Sequence, residues 1–250
     1  MNISKAKDYI GITFLALSFI TLLYMAFACP LNQIIVHVDE YFTQAVVSLP
    51  MSDIITVTAA DVHPPLHYLL GKIAIKAGEV FGLNSLYCLK LLSIIPYAFI
   101  LLISATKIRK DYGLFTAGVF SLSLLLMSDF FKYYFVARMY TWAMLFIILA
   151  FICTKEIIDG SDKRYWIFLS ILSALCAYTH YFAAITATVI YLILLAHLIT
   201  CKKDQIKYWV ISAVVGIILY LPWMPALISQ LTTVHESYWI QKPGLELAIW

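Results

Sequence analysis

The chain has 250 residues, of which 63% are hydrophobic and 12% charged, and its mean hydropathy is +0.89. Uncharged apolar runs long enough to cross a bilayer recur along it, which argues against a soluble globular domain and for an all-α, polytopic transmembrane helical bundle. The net charge of +3 does not speak for nucleic acid, because the 17 Lys and Arg stand in twos and threes between apolar runs rather than in one patch.

The first span is expected over 9–29, behind Lys5 and Lys7. Ala26-Phe27-Ala28 resembles a signal-peptidase site, but the apolar run is longer than a signal core, so a retained span with a cytoplasmic N-terminus is expected. A long extracytoplasmic loop, 30–85, follows. Within it Asp39 and Glu40 open an amphipathic helix, with Val38, Phe42, Ala45 and Leu49 as its apolar face and Glu40, Gln44 and Ser48 as its polar face. Pro64 and Pro65 fix φ and bias the residue before each toward extended backbone, which presents Asp61 and His63.

The segment 65–81 is apolar enough to pass for a crossing. Lys72, Lys76 and Glu79 recur there at helical spacing, opposite Leu69, Leu70, Ile73, Val80 and Phe81, a pattern that predicts a helix lying in the interface. Basic residues decide the matter. With 65–81 flat, Lys5, Lys7, Lys107, Arg109, Lys110, Lys155, Lys163, Arg164, Lys202, Lys203 and Lys207 all fall on the cytoplasmic side, eleven of the 17. A crossing there would move nine of those eleven outside.

Six more spans are expected, over 86–106, 113–130, 138–157, 166–179, 183–200 and 208–226, with the tail from Leu227 outside. The run Tyr165 to Thr200 overshoots a hydrocarbon core of roughly 30 Å if taken as one helix, so a break is expected at Thr179-His180-Tyr181. Residues 1–250 form one membrane domain on this reading, and the end at Leu-Ala-Ile-Trp250, as if entering another helix, reads as a truncated or minimal form. The five cysteines form no CxxC pair and no zinc spacing; Cys29 with Cys88 is the one disulfide considered.

With this topology the polar residues gather on the outer face. Asp39, Glu40, Asp61 and His63 come from the first loop, Lys132, Tyr133, Tyr134, Arg138 and Tyr140 from the fourth span's start, and Tyr178, His180 and Tyr181 from the later hinge. Tyrosines at span ends also serve as interface anchors, His67 and His180 as packing residues, and Lys72 and Lys76 as snorkelling cations. Arg138 opens an otherwise apolar span, where an unpaired guanidinium costs several kcal/mol, so it calls for an anion. A carboxylate at the boundary can take a proton from a hydroxyl while a cation neutralises a departing phosphate. The substrate this describes is an amphiphile with a phosphate head.

Asp39-Glu40, Asp61-Val-His-Pro-Pro-Leu66, Phe81-Gly82-Leu-Asn84, Ala137-Arg138-Met-Tyr140, Tyr178-Thr-His-Tyr-Phe182 and Leu221-Pro-Trp223 follow one another across 37–223. In these motifs the chain resembles the GT-C superfamily of integral-membrane glycosyltransferases, in particular the protein O-mannosyltransferase and aminoarabinose-transferase-like branch. The resemblance implies inverting transfer of a sugar from a polyprenyl-phosphate carrier, dolichyl or undecaprenyl, to an acceptor hydroxyl on the extracytoplasmic side. It implies Asp39 as general base with Glu40 in support, and Arg138 on the donor phosphate. His63 stands where some relatives carry a lysine, Lys72 is a further candidate for the phosphate, and Lys90 stands where relatives usually carry arginine. Asp61, Tyr140, His180 and Tyr181 would line the substrate pocket.

No cofactor is expected, and the metal site is expected to be none, although Asp39, Glu40, Asp61 and His63 carry oxygen and nitrogen ligands suited to a divalent ion. The expected partners are the lipid bilayer, the polyprenyl-phosphate-sugar donor and an acceptor that is a protein, lipid or glycan; no nucleic acid is expected. Two alternatives stand beside this reading: a transporter or flippase of a lipid-linked or anionic solute, and a non-catalytic partner subunit. A transporter places ionisable groups near the midplane, whereas here the mid-span stretches are nearly bare of charge.

Overall fold

The structure, a computed structural model, describes residues 3–127 and 133–237, with side chains from 4 to 233 within those ranges. Of the described residues 86% are helical and none lies in a strand. The helices are α1 (Ile3–Leu23, prolonged by a π-turn Tyr24–Ala28), α2 (Asp39–Ser48), α3 (Met51–Ala60), α4 (Leu66–Glu79), α5 (Ser85–Ile103, prolonged by a π-turn Ser104–Ile108) and α6 (Arg109–Tyr112). They continue with α7 (Leu114–Leu126), α8 (Tyr140–Asp159), α9 (Arg164–Thr179), α10 (Tyr181–Cys201), α11 (Ile206–Tyr220) and α12 (Met224–Ser237).

Among the described residues, five helical runs are long and apolar enough to cross a membrane: Ser4–Gln33, Ser85–Tyr112, Tyr140–Asp159, Tyr181–Cys201 and Lys203–Thr233. The protein is therefore an all-helical integral membrane protein. The expected spans 113–130 and 166–179 are not among the five. α7 and α9 have 13 and 16 residues, about 20 and 24 Å at helical rise, and so fall short of the core thickness on their own. Residues 128–132, which include Lys132, lie outside the described residues, as does Trp250. A second difference concerns the tail: past the 3₁₀ turn Leu221–Trp223 the chain continues as α12, and Gln230 donates to the Thr58 carbonyl at the end of α3 at 2.8 Å.

Local chemistry explains the helix ends. Asn84 caps α5, its Oδ1 accepting from the Leu86 amide at 2.8 Å. Gly160, at φ 80°, ends α8 with the Ser161 amide donating to Glu156 O and the Gly160 amide to Ile157 O, the paired bonds of a Schellman motif. His180, in extended backbone, separates α9 from α10, and its Nδ1 accepts from the Phe182 amide at 3.2 Å.

Close helix contacts rest on glycine. A Cβ on Gly11 of α1 would lie 2.5 Å from the Leu114 carbonyl oxygen, and one on Gly118 of α7 would lie 2.7 Å from Gly11 Cα. These two helices thus pack backbone against backbone, as expected where lipid removes any hydrophobic drive between helices. α4 meets α5 closely at Gly71, where an added Cβ would stand 2.9 Å from the Leu89 side chain.

The polar ends of the bundle are separated by the length of α8. At one end Lys107 pairs with Asp111 at 2.7 Å and with Glu156, Lys155 pairs with Asp159 at 2.5 Å, and Lys202 Nζ donates to Ile158 O at 2.7 Å. The other end, roughly 30 Å away along α8, carries Asp39, Glu40 and Arg138.

Candidate functional site

The site is assembled on α5 and the start of α8. Pro96 inside α5 removes the amide that would bond Leu92 O, and the indole of Trp142 fills the vacancy, Nε1 to Leu92 O 2.9 Å. Thr141 Oγ1 donates to Ser93 O at 2.6 Å, and Ser93 Oγ donates to Arg138 O at 3.2 Å. These bonds tie the Arg138 turn to the stretch of α5 just before Pro96.

Glu40 has no exposed surface. Its Oε1 pairs with Lys90 Nζ at 3.0 Å and accepts from the Ala137 amide at 2.7 Å; its Oε2 accepts from the Val36 and His37 amides at 2.7 and 3.2 Å. The carboxylate is saturated, and the buried pair joins the first loop to α5 and to the Arg138 turn. This corrects the expected faces of α2: Glu40, Thr43, Val46 and Val47 are buried, while Val38, Phe42 and Ala45 are exposed. The cause is Lys90, also fully buried, which draws Glu40 inward.

Asp39 behaves otherwise. Its side chain is 39% exposed, with Oδ2 3.7 Å from Arg138 Nη2 and 3.6 Å from His37 Nδ1. Arg138 is 2% exposed. Its Nη1 donates to the Tyr68 hydroxyl and its Nη2 to His63 Nε2, each at 3.0 Å, while its buried Nε has no hydrogen-bond partner. Because a guanidinium only donates, His63 accepts at Nε2 and carries its proton on Nδ1, which donates to Asp61 Oδ2 at 3.0 Å. An Asp61–His63–Arg138 relay results. Burial pushes the Asp61 carboxyl up, but the bonds from His63 and the Val62 amide pull harder, leaving its pKa below the ordinary value.

Rings complete the cluster. His63 and His180 stand 6.1 Å apart, His180 and Tyr140 5.8 Å, and Tyr140 and Tyr133 4.6 Å. Burial, then His63 and Arg138, push the His180 pKa down to about 4, so the ring is neutral near pH 7. The Tyr181 hydroxyl donates to Gln230 and accepts from Trp223 Nε1 at 3.2 Å. A cavity of about 290 Å³ is lined by His63, His180 and Tyr181 together with Leu227 and Gln230. A second, apolar cavity of about 340 Å³ between α9, α10 and α11 shares none of the cluster's side chains.

Some expected residues are not brought together. Lys72 Nζ donates to Ser48 O at 3.1 Å, closing the C-terminal end of α2, and makes no contact with Arg138. Asp39, Glu40, Asp61 and His63 do not converge as ligands: no group of three His, Cys, Asp or Glu suited to a metal occurs among the described residues. Cys29 and Cys88 are both free and buried.

Three members carried no site role in the sequence. Tyr68 is fully buried against Arg138, and burial pushes its hydroxyl up to about 12 although Arg138 pulls the other way. His67 beside it, expected as a packing residue, is fully buried, and burial, with Arg138 second, brings its pKa down to about 3. Their signal was Gly71 and Gly78, which share the buried face of α4 with them. The third, His37, stands one turn before the acids and escaped notice for want of a local pattern.

No protein-family profile, no curated protein and no solved structure matches the chain.

Proposed function

We propose that the protein is a membrane glycosyltransferase that moves a sugar from a polyprenyl-phosphate carrier to an acceptor hydroxyl. The observation that carries this reading is the half-exposed Asp39 carboxylate 3.7 Å from a buried guanidinium that Tyr68 and His63 hold in place. Asp39 takes the acceptor proton, the acceptor oxygen bonds to the anomeric carbon from the face opposite the phosphate, and the sugar–phosphate C–O bond breaks. The freed phosphate keeps the electron pair and is stabilised by Arg138, whose unpartnered Nε is a spare donor. Glu40 and Lys90 act here as positioning residues.

The end of the bundle that carries Lys107, Lys155 and Lys202 also holds Lys5 and Lys7, one or two turns before the Gly11 contact with Leu114. By the positive-inside rule that end faces the cytoplasm, which puts Asp39 and Arg138 outside, at headgroup depth. The chain of the donor then lies in the bilayer with its phosphate at the interface.

The test is a donor panel. Proteoliposomes are incubated with radiolabelled polyprenyl-phosphate sugars and a crude acceptor extract, and labelled product is separated from donor. Transfer from at least one donor, with inverted anomeric configuration, is expected; donor that crosses the membrane intact, with no product, would favour a flippase instead.

A further inference from the structure

The largest of the described cavities, about 510 Å³, lies at the same end of the bundle but shares no residue with the Asp39–Arg138 cluster. It opens between the end of the first span and the α4–α5 junction. Three amides (Asn32, Gln33 and Asn84) and two aromatic rings (Phe27 and Tyr87) line it with Gly82, and no lining side chain carries a charge.

Asn32 is 2% exposed. Its Nδ2 donates to the carbonyls of Met25 and Ala26, the latter at 3.2 Å, and these two acceptors fix which end of the amide is nitrogen. The Oδ1 is left buried with no hydrogen-bond partner. Tyr87 lines the cavity as well, its hydroxyl donating to Ala26 O at 2.8 Å. Phe27 is 77% exposed. Gly82, at φ 66°, has open space where a Cβ would stand, so the chain reverses here without filling the cavity.

We propose that this cavity is a second binding site, for an uncharged polyhydroxylated group such as a neutral hexosyl unit. Amides such as that of Gln33 both donate to and accept from hydroxyls, and flat rings such as those of Phe27 and Tyr87 cover the C–H faces of a sugar. The uncharged lining gives a phosphate or carboxylate no counter-ion. The inference does not depend on the reaction proposed above.

The full-length protein in nanodiscs is the sample for the test. One arm adds a monoglucosyl diacylglycerol and counts adducts by native mass spectrometry; the other titrates free maltose by calorimetry. Binding of the first alone identifies a glycolipid headgroup as the source, and binding of maltose a soluble glycan; either supports the site. Asn32→Ala also cuts the tie to Met25 and Ala26, so the exposed positions carry the test: Gln33→Leu and Phe27→Ala are each expected to weaken binding at least tenfold, while Asp39→Asn binds as wild type. Failure of both probes to bind, binding unchanged in both variants, displacement by phosphatidic acid, or loss in Asp39→Asn would each overturn the proposal.

Discussion

At position 40 a carboxylate without exposed surface receives Lys90 and three backbone amides, whereas Asp39, one residue earlier, keeps 39% of its side chain open beside Arg138. Removing one partner of a buried pair leaves an uncompensated charge and costs about 3–5 kcal/mol. Glu40→Gln is therefore expected to lower the thermal midpoint in detergent strongly, and Glu40→Gln with Lys90→Met to recover part of it; an unchanged midpoint in the single variant would remove the pair from the account. The histidines give a pH signature. His67 and His180 have folded pKa values of about 3 and 4, below the ordinary 6.5, so the unfolded chain binds more protons. Their contribution to stability is whole above about pH 6.5 and declines as pH falls toward 4. The thermal midpoint should fall from pH 7 to pH 5, and fall less in His180→Gln; equal slopes in the two proteins would contradict the placement of His180.

At the scale of helices, contact is decided by small residues rather than by apolar stripes. Gly11→Val drives a side chain into the Leu114 carbonyl, and overpacking of this kind costs typically about 1–3 kcal/mol. Gly216→Ala, whose Cβ would stand 3.5 Å from Ser170 O in ordinary contact, should be tolerated. Thermal size-exclusion profiles of the two variants check this, and equal loss in both would contradict the α1–α7 geometry. The same physics explains what the sequence hid. The break at His180 was legible because the apolar run is too long for one crossing, and the Asp61–His63 corner because prolines announce it. The inward faces of α2 and α4 were not legible. In a membrane an apolar stripe faces lipid as readily as protein, so Leu69, Leu70 and Ile73 did not mark the packed side of α4, while Gly71 and Gly78 did. Glu40 belonged by local pattern to a polar face, and only Lys90, fifty positions away, draws it into the interior.

For the molecule as a whole, charge sits at two ends about one bilayer apart. One end is a network of Lys107, Asp111, Lys155, Glu156 and Asp159; the other is the cluster around Arg138. Between α9, α10 and α11 the hydroxyls of Ser170, Ser212 and Tyr191 hydrogen-bond one another, which suits a rigid scaffold better than a path for an ion. On the proposed function the two charges at the Arg138 end have separate work: a proton goes to Asp39, the departing phosphate to Arg138. Single-turnover sugar transfer in proteoliposomes, with Asp39→Asn and Arg138→Ala beside wild type, tests that division most directly. The account predicts a rate lower by a factor of about 10² or more in Asp39→Asn with donor binding retained, and weakened donor binding in Arg138→Ala. Wild-type transfer rates in Asp39→Asn, or unaltered donor dependence in Arg138→Ala, would contradict it.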